Sequence, residues 1–219
     1  MDIKKLLPNI LTLANLIVGF SAILLISETN YRMAVGFVIV RMILDGLDGK
    51  VARKLQVSGD FGTELDSLCD VVSFGVVPSY FMWSLLVDGS GGFTSILLTV
   101  LAFLFLICGA YRLARFNVET TSGDDFTGIP ITIAGGILAL SAFYAVNVSV
   151  VLILILALVL SLLMISEVPY PAFKNLQLPD QPLWYVVFIA VVLLFTVFPF
   201  LFLGLLIIYL VSGSIKLVT

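Results

Sequence analysis

The chain has 219 residues, of which 61% are hydrophobic and only 11% charged. A soluble domain carries about 25% charged residues, so a water-soluble globular protein is excluded, and apolar runs of about 20 residues from end to end read as a polytopic membrane protein. There is no histidine, which excludes a His base, a His nucleophile and a His-ligated zinc site; the net charge of −3 says little about partners, because many of the acids share one stretch. Cys69 and Cys108 fall inside predicted spans, so a disulfide scaffold is not expected. The first apolar run is long and lacks a small-residue cleavage site, so no cleavable signal is expected.

In chain order, residues 2–7 are short and basic-amphipathic, suited to the membrane surface or to a positive flank. The first span covers about 8–27, and Asn9, Thr12 and Asn15 share one face of it. Polar residues there either link helices or line a nucleotide pocket. The second span, about 33–54, and the third, about 62–86, form a hairpin through Ser58, Gly59 and Asp60, which suit a turn and a helix N-cap. Arg41 is buried four residues before Asp45 on the same face, where pairing with an acid is expected.

Asp88-Gly-Ser-Gly-Gly92 is a plain loop before a fourth span at about 93–113, which ends in Tyr111-Arg112-Leu-Ala-Arg115-Phe-Asn117. Phe126-Thr127-Gly128-Ile-Pro130 opens the fifth span. Residues 128–166 are too long for one span and break near Asn147. A loop with Pro169-Tyr170-Pro171 and Lys174 follows, and Pro199 divides residues 183–217. The expectation is an all-α membrane protein, one domain over 1–219, with about eight spans and six as the fallback. With the N-terminus in the cytosol, nine of the eleven basic residues fall at cytosolic ends, Arg32 lies outside and Arg41 lies within a span. By the positive-inside rule, the active site then opens to the cytosol.

The chemistry concentrates between Asp45 and Asp70. Asp45 and Asp48 are three apart, and Asp66 and Asp70 are four apart, so each pair shares a helix face. Arg53 lies about two turns after Asp45, near the same face. Carboxylates buried in a membrane need a compensating charge, and a hard divalent cation prefers oxygen ligands. Folded as a hairpin, the pairs form a four-carboxylate cup suited to two Mg²⁺ or Mn²⁺ ions, which in turn suit a diphosphate.

This stretch resembles the CDP-alcohol phosphotransferase signature, D-x2-D-G-x2-A-R-x8-G-x3-D-x3-D, at every fixed position. The resemblance implies a CDP-linked lipid donor, metal ligation by Asp45, Asp48 and Asp66, and a base at Asp70 that also lies close to metal. It implies room for the nucleotide at Gly49 and Ala52, diphosphate contact by Arg53, close helix approach at Gly62, and CDP contacts from Pro8, Asn9, Ile10, Leu11, Ser58 and Gly59. The stretches 64–75, 111–117, 126–130 and 169–171 are most similar to the phosphatidylserine synthases within that family, which implies transfer to L-serine with release of CMP. The donor is then CDP-diacylglycerol or an ether-linked equivalent.

Serine needs a cation for its carboxylate and an acceptor for its ammonium. Arg112 and Arg115, three apart at the cytosolic boundary, suit the carboxylate or a lipid phosphate, or else only snorkel; Glu64 or Asp60 suits the ammonium. A phosphorylated acceptor would want a denser basic cluster. The resemblance also implies a homodimer in the plasma membrane among membrane lipids, with no nucleic-acid partner. Three alternatives stand beside this reading. One is the same chemistry on glycerol 3-phosphate, inositol or inositol phosphate. Another is an intramembrane prenyltransferase, whose aspartate motifs lie in separate repeats. The third is a cation transporter, which predicts inverted repeats and midplane acids.

Overall fold

The computed structural model describes residues 3–55, 60–118, 125–145, 149–171 and 198–216, with side chains described over 8–46, 61–118, 127–144, 149–170 and 198–213. Among the described residues the chain is a helical bundle. It comprises α1 (Ile3–Ser27), α2 (Tyr31–Leu55), a rod of α3 (Asp60–Asp70), a π-helical segment (Val71–Val76) and α4 (Val77–Leu86), then α5 (Gly92–Val118), α6 (Ile131–Ala145), α7 (Val150–Ile165) and α8 (Pro199–Lys216). Among the described residues, three stretches, Pro8–Ser27, Phe61–Leu86 and Gly92–Val118, are long and apolar enough to cross a membrane. α6, α7 and α8 supply shorter apolar stretches. The expected break near Asn147 falls between α6 and α7, and a helix begins at Pro199; residues 183–197, expected as the seventh span, lie outside the described residues.

The faces follow from helical periodicity. On α1, Ile10, Leu13, Ile17, Phe20 and Leu24 form an exposed apolar stripe, as a lipid-facing surface requires. The opposite stripe, Thr12, Asn15, Ala22 and Ile26, is buried. α6 is apolar all round and sits at the centre, with Ala134 and Ile137–Leu140 buried and α2, α4, α7 and α8 packed against it. Its glycines permit this: a Cβ on Gly135 would lie 2.5 Å from the Phe74 carbonyl oxygen.

The π-helical segment has a cause in its own sequence and a partner on α6 that accommodates it. Pro78 has no N–H to give the carbonyl of Phe74, four residues earlier, and its ring crowds that carbonyl. The backbone widens, so that Val77 N–H bonds to the Val72 carbonyl instead. The Phe74 carbonyl then faces Gly135, and Ser73 turns toward α1, where only a glycine, Gly19, leaves room for its hydroxyl.

Three expectations are corrected. The fourth span is longer than expected: α5 continues to Val118, so Tyr111–Asn117 lies inside the helix. Residues 126–130 do not open a helix, and 169–171 is not plain loop. Instead Asp125–Thr127 (β1) pairs antiparallel with Pro169–Pro171 (β2), Phe126 opposite Tyr170, and α6 begins only at Ile131. The reason is that Pro130 lacks a donor and Gly128 takes φ +74°, where its N–H reaches the Val168 carbonyl at 2.9 Å.

The α1–α2 turn closes as a Schellman motif, with Asn30 N–H to Leu25 O at 2.8 Å and Thr29 N–H to Ile26 O at 2.9 Å. Its left-handed position, φ 58°, is held by Thr29, a β-branched residue where glycine is favoured. Replacing Thr29 with Gly is expected to stabilise the bundle by about 0.5–1 kcal/mol, the relief of strain exceeding the added chain entropy. Thermal unfolding in detergent checks this, and a lower midpoint would contradict it.

Candidate active site

Two adjacent rods carry the acids. Asp45 comes from α2, and Asp66 and Asp70 come from one face of α3. The helical spacing expected of them holds, and one oxygen from each lies within 4.8 Å of the others. Asp70 is buried and Asp45 and Asp66 are half-buried. Asp48, the fourth expected ligand, lies on the same helix as Asp45, but its side chain is outside the described set. The same holds for Arg53 and Ala52, and Gly49 is placed by its backbone alone; Ser58 and Gly59 lie outside the described residues.

When ionised, each pair of carboxylates at this separation repels by about 3.5 kcal/mol at an effective dielectric of about 20. Arg41 offsets part of that. It is 1% exposed and donates from Nη1 to Asp45 Oδ1 at 3.2 Å and from Nη2 to Asp70 Oδ1 at 2.8 Å. The pairing expected of Arg41 is therefore present and reaches a second helix. One guanidinium cannot neutralise three carboxylates, and among the described residues Asp66 Oδ1 is buried without a hydrogen-bond partner. An orphaned buried oxygen beside two further carboxylates is a donor set that fits a hard divalent cation.

The start of α1 closes one side of this region. The nearest atom to a Cβ placed on Gly62 is Asn9 Oδ1, at 3.3 Å. Gly62 thus leaves room for α1; the α2 side chains of residues 47–55, against which its close approach was expected, lie outside the described set. Pro8 is buried, Asn9 and Leu11 are half-buried, and Ile10 is turned out onto the lipid-facing stripe. The Thr12 hydroxyl is satisfied by the Pro8 carbonyl at 3.1 Å, and Asn15 is buried.

Arg112 and Arg115 separate. Arg112 is buried, with its guanidinium 5.1 Å from the Phe116 ring centroid and within Coulombic reach of Asp70 and Tyr209. Arg115 donates to the carbonyls of Ile165 at 3.0 Å and of Thr127 and Ser166 at 3.1 Å each. It thereby caps the end of α7, where a cation suits the helix dipole, and ties α5 to the ribbon. Glu64 is exposed and accepts from Asn117 Nδ2 at 3.4 Å, which also reaches Ser67 Oγ at 3.0 Å.

Sequence reasoning did not single out Ser73, Asn117 or Tyr209. Ser73 accepts from Arg41 Nε at 3.2 Å; its signal was a lone hydroxyl one turn after Asp70 in an apolar run. Tyr209 of α8 stacks on Tyr170 of β2 with ring centroids 5.6 Å apart. Burial against Gly213 and this ring pushes the Tyr170 phenol above its ordinary range. These rings set the ribbon against α8.

Comparison with known proteins adds to this geometry. The CDP-alcohol phosphatidyltransferase family model matches residues 5–165. The CDP-diacylglycerol–serine O-phosphatidyltransferase of Methanocaldococcus jannaschii is 37% identical over 217 residues, covering 98% of this chain and 96% of its own length. The protein of the same name from Helicobacter pylori strain J99 is 38% identical over 180 residues, covering 78% of this chain and 74% of its own. The archaetidylserine synthase of Methanothermobacter thermautotrophicus is 38% identical over 169 residues, covering 75% and 69%.

If the carboxylates hold the ion directly, Asp66→Asn lowers Mn²⁺ affinity by at least about tenfold while the protein stays folded. Electron paramagnetic resonance titration of purified protein reads this; unchanged affinity would remove Asp66 from the ligand set.

Proposed function

The chain belongs to the CDP-alcohol phosphatidyltransferase family, and on that premise we propose that it transfers a phosphatidyl group from CDP-diacylglycerol, or an ether-linked equivalent, to the hydroxyl of L-serine. The products are phosphatidylserine, or its ether analogue, and CMP. The observation that carries the reading is the cage of Asp45, Asp66 and Asp70 oxygens within 4.8 Å, built by two helices inside an apolar bundle. Relatives named for serine transfer, 37–38% identical over most of the chain, support serine as the acceptor.

In this reading Asp45, Asp48, Asp66 and Asp70 hold divalent ions, two Mg²⁺ or Mn²⁺. When bound, these supply Lewis-acid polarisation of the phosphoryl oxygens and charge neutralisation for departing CMP. Arg53 contacts the donor diphosphate, a task for which a guanidinium fork is suited. Gly49 and Ala52 leave space for the nucleotide, and Pro8, Asn9, Leu11, Ser58, Gly59 and Gly62 border it. Asp70 takes the proton from the serine hydroxyl as the new oxygen–phosphorus bond forms and the bond to CMP breaks. Arg112, buried and within reach of Asp70, takes the serine carboxylate. Glu64 takes the ammonium, and Arg115 holds the ribbon that walls this side.

The protein is an integral membrane enzyme whose substrates are a CDP-lipid and serine. We place it in the plasma membrane as one domain with eight spans, the N-terminus and site on the cytosolic side, where most of the basic residues fall. A homodimer among membrane lipids completes the reading.

CMP release is the measurement. With CDP-diacylglycerol and Mn²⁺, serine is expected to support turnover, and glycerol 3-phosphate, inositol and inositol phosphate are not. Equal rates across these acceptors would overturn the serine assignment. Asp70→Asn is expected to lower turnover by about 10²–10⁴-fold with donor binding still measurable; near-normal turnover would remove Asp70 from the base role.

A further inference from the structure

Arg41 is fixed on more sides than a charge-neutralising residue needs. Its three nitrogens each have a separate partner: Nη1 on Asp45 at 3.2 Å, Nη2 on Asp70 at 2.8 Å and Nε on Ser73 Oγ at 3.2 Å. Its guanidinium carbon lies 4.8 Å from the Phe74 ring centroid, which covers one face. The backbone on both sides is shaped for this arrangement. The π-helical turn aims Ser73 inward, and Gly19 leaves space against Ser73 that any side chain would fill.

We propose that Arg41 is a positioning residue of the acid cage, with two opposed effects. Its planar fork sets the spacing of Asp45 and Asp70 across two helices, so that Asp70 is aimed for reaction. Its positive charge also weakens the cation affinity of the cage it organises. The inference rests on the reading of the cage as a metal site.

The first effect follows from geometry. Arg41 takes one oxygen, Oδ1, from each of Asp45 and Asp70, and so ties a carboxylate of α2 to one of α3. Asp66 lies within the cage and accepts no hydrogen bond from the fork, its Oδ1 being buried without a partner among the described residues. The fork therefore orients two carboxylates and leaves the third for the ion. A lysine is a point charge and cannot reach Asp45, Asp70 and Ser73 at fixed angles. The second effect follows from charge. A guanidinium within hydrogen-bond distance of two carboxylates repels a divalent cation held by the same two, and burial leaves that repulsion unscreened by salt.

These effects separate positioning from mere support of the fold. An arginine that only held helices together would, when lost, loosen the cage and weaken metal binding and turnover in parallel. The proposal requires them to part. The experiment uses the full-length protein in detergent or nanodiscs, with Mn²⁺ alone as the binding probe by electron paramagnetic resonance, and CMP release as the turnover assay. Arg41→Gln is expected to bind Mn²⁺ at least about threefold more tightly, while kcat falls about 10–100-fold. Arg41→Lys keeps the charge and is expected to leave Mn²⁺ affinity within about twofold of the parent while lowering kcat. Ser73→Ala removes one anchor without changing charge, and is expected to lower kcat at unchanged Mn²⁺ affinity. This third variant serves where Arg41→Gln does not fold.

Weaker Mn²⁺ binding in step with lost turnover, in folded Arg41→Gln, would overturn the proposal, as would normal kcat in both Arg41→Lys and Ser73→Ala. Absence of Mn²⁺ binding in the parent protein would instead overturn the metal reading on which the proposal rests.

Discussion

Mutual repulsion among buried carboxylates is the constraint around which this bundle is built. Asp45, Asp66 and Asp70 present oxygens within 4.8 Å of one another inside a chain that is 61% hydrophobic. An apolar core gives no reason to gather three like charges, and every pairwise interaction among them opposes folding. Arg41 offsets one charge and orients two of the groups. The oxygens gathered here, with Asp66 Oδ1 buried and without a hydrogen-bond partner among the described residues, are what suit the site to a divalent cation and, through it, to a diphosphate. Function and instability here have the same source.

The helices tolerate that cost because their backbones approach closely elsewhere. Gly19, Gly62, Gly109 and Gly135 each sit where an added Cβ would crowd a neighbouring rod. Small residues at such contacts gain dispersion energy where lipid supplies no hydrophobic drive. The π-helical turn after Asp70 belongs to the same design. Pro78 forces the backbone open, Gly135 accepts the displaced Phe74 carbonyl, and Ser73 is brought to the Arg41 fork. At the ribbon, Arg115 satisfies three carbonyls that would otherwise end α7 and the β1 turn unpaired.

Much of this was legible in the sequence. Helical spacing alone placed Asp45 beside Arg41, and Asp66 beside Asp70, because three- and four-residue separations share a face whatever the tertiary context. Hydropathy and length located the break around residue 147 and the helix start at Pro199. The illegible parts depend on partners distant in the chain. β1 and β2 are three residues each and lie more than forty positions apart, too short to carry an alternation pattern. The π-helical register depends on Gly135 of another helix as well as on Pro78. Arg112 and Arg115 looked equivalent because they share a face by spacing, yet one is buried against the Phe116 ring and the other reaches backbone carbonyls. Ile10 was grouped with its neighbours by position, whereas its side chain falls on the lipid-facing stripe.

The central claim is that α2 and α3 together cage a divalent cation. Anomalous diffraction from crystals grown with Mn²⁺ tests it most directly. The account predicts a manganese peak bounded by the carboxylates of Asp45, Asp66 and Asp70. Manganese bound elsewhere in the bundle, with those three side chains turned away from one another, would contradict it.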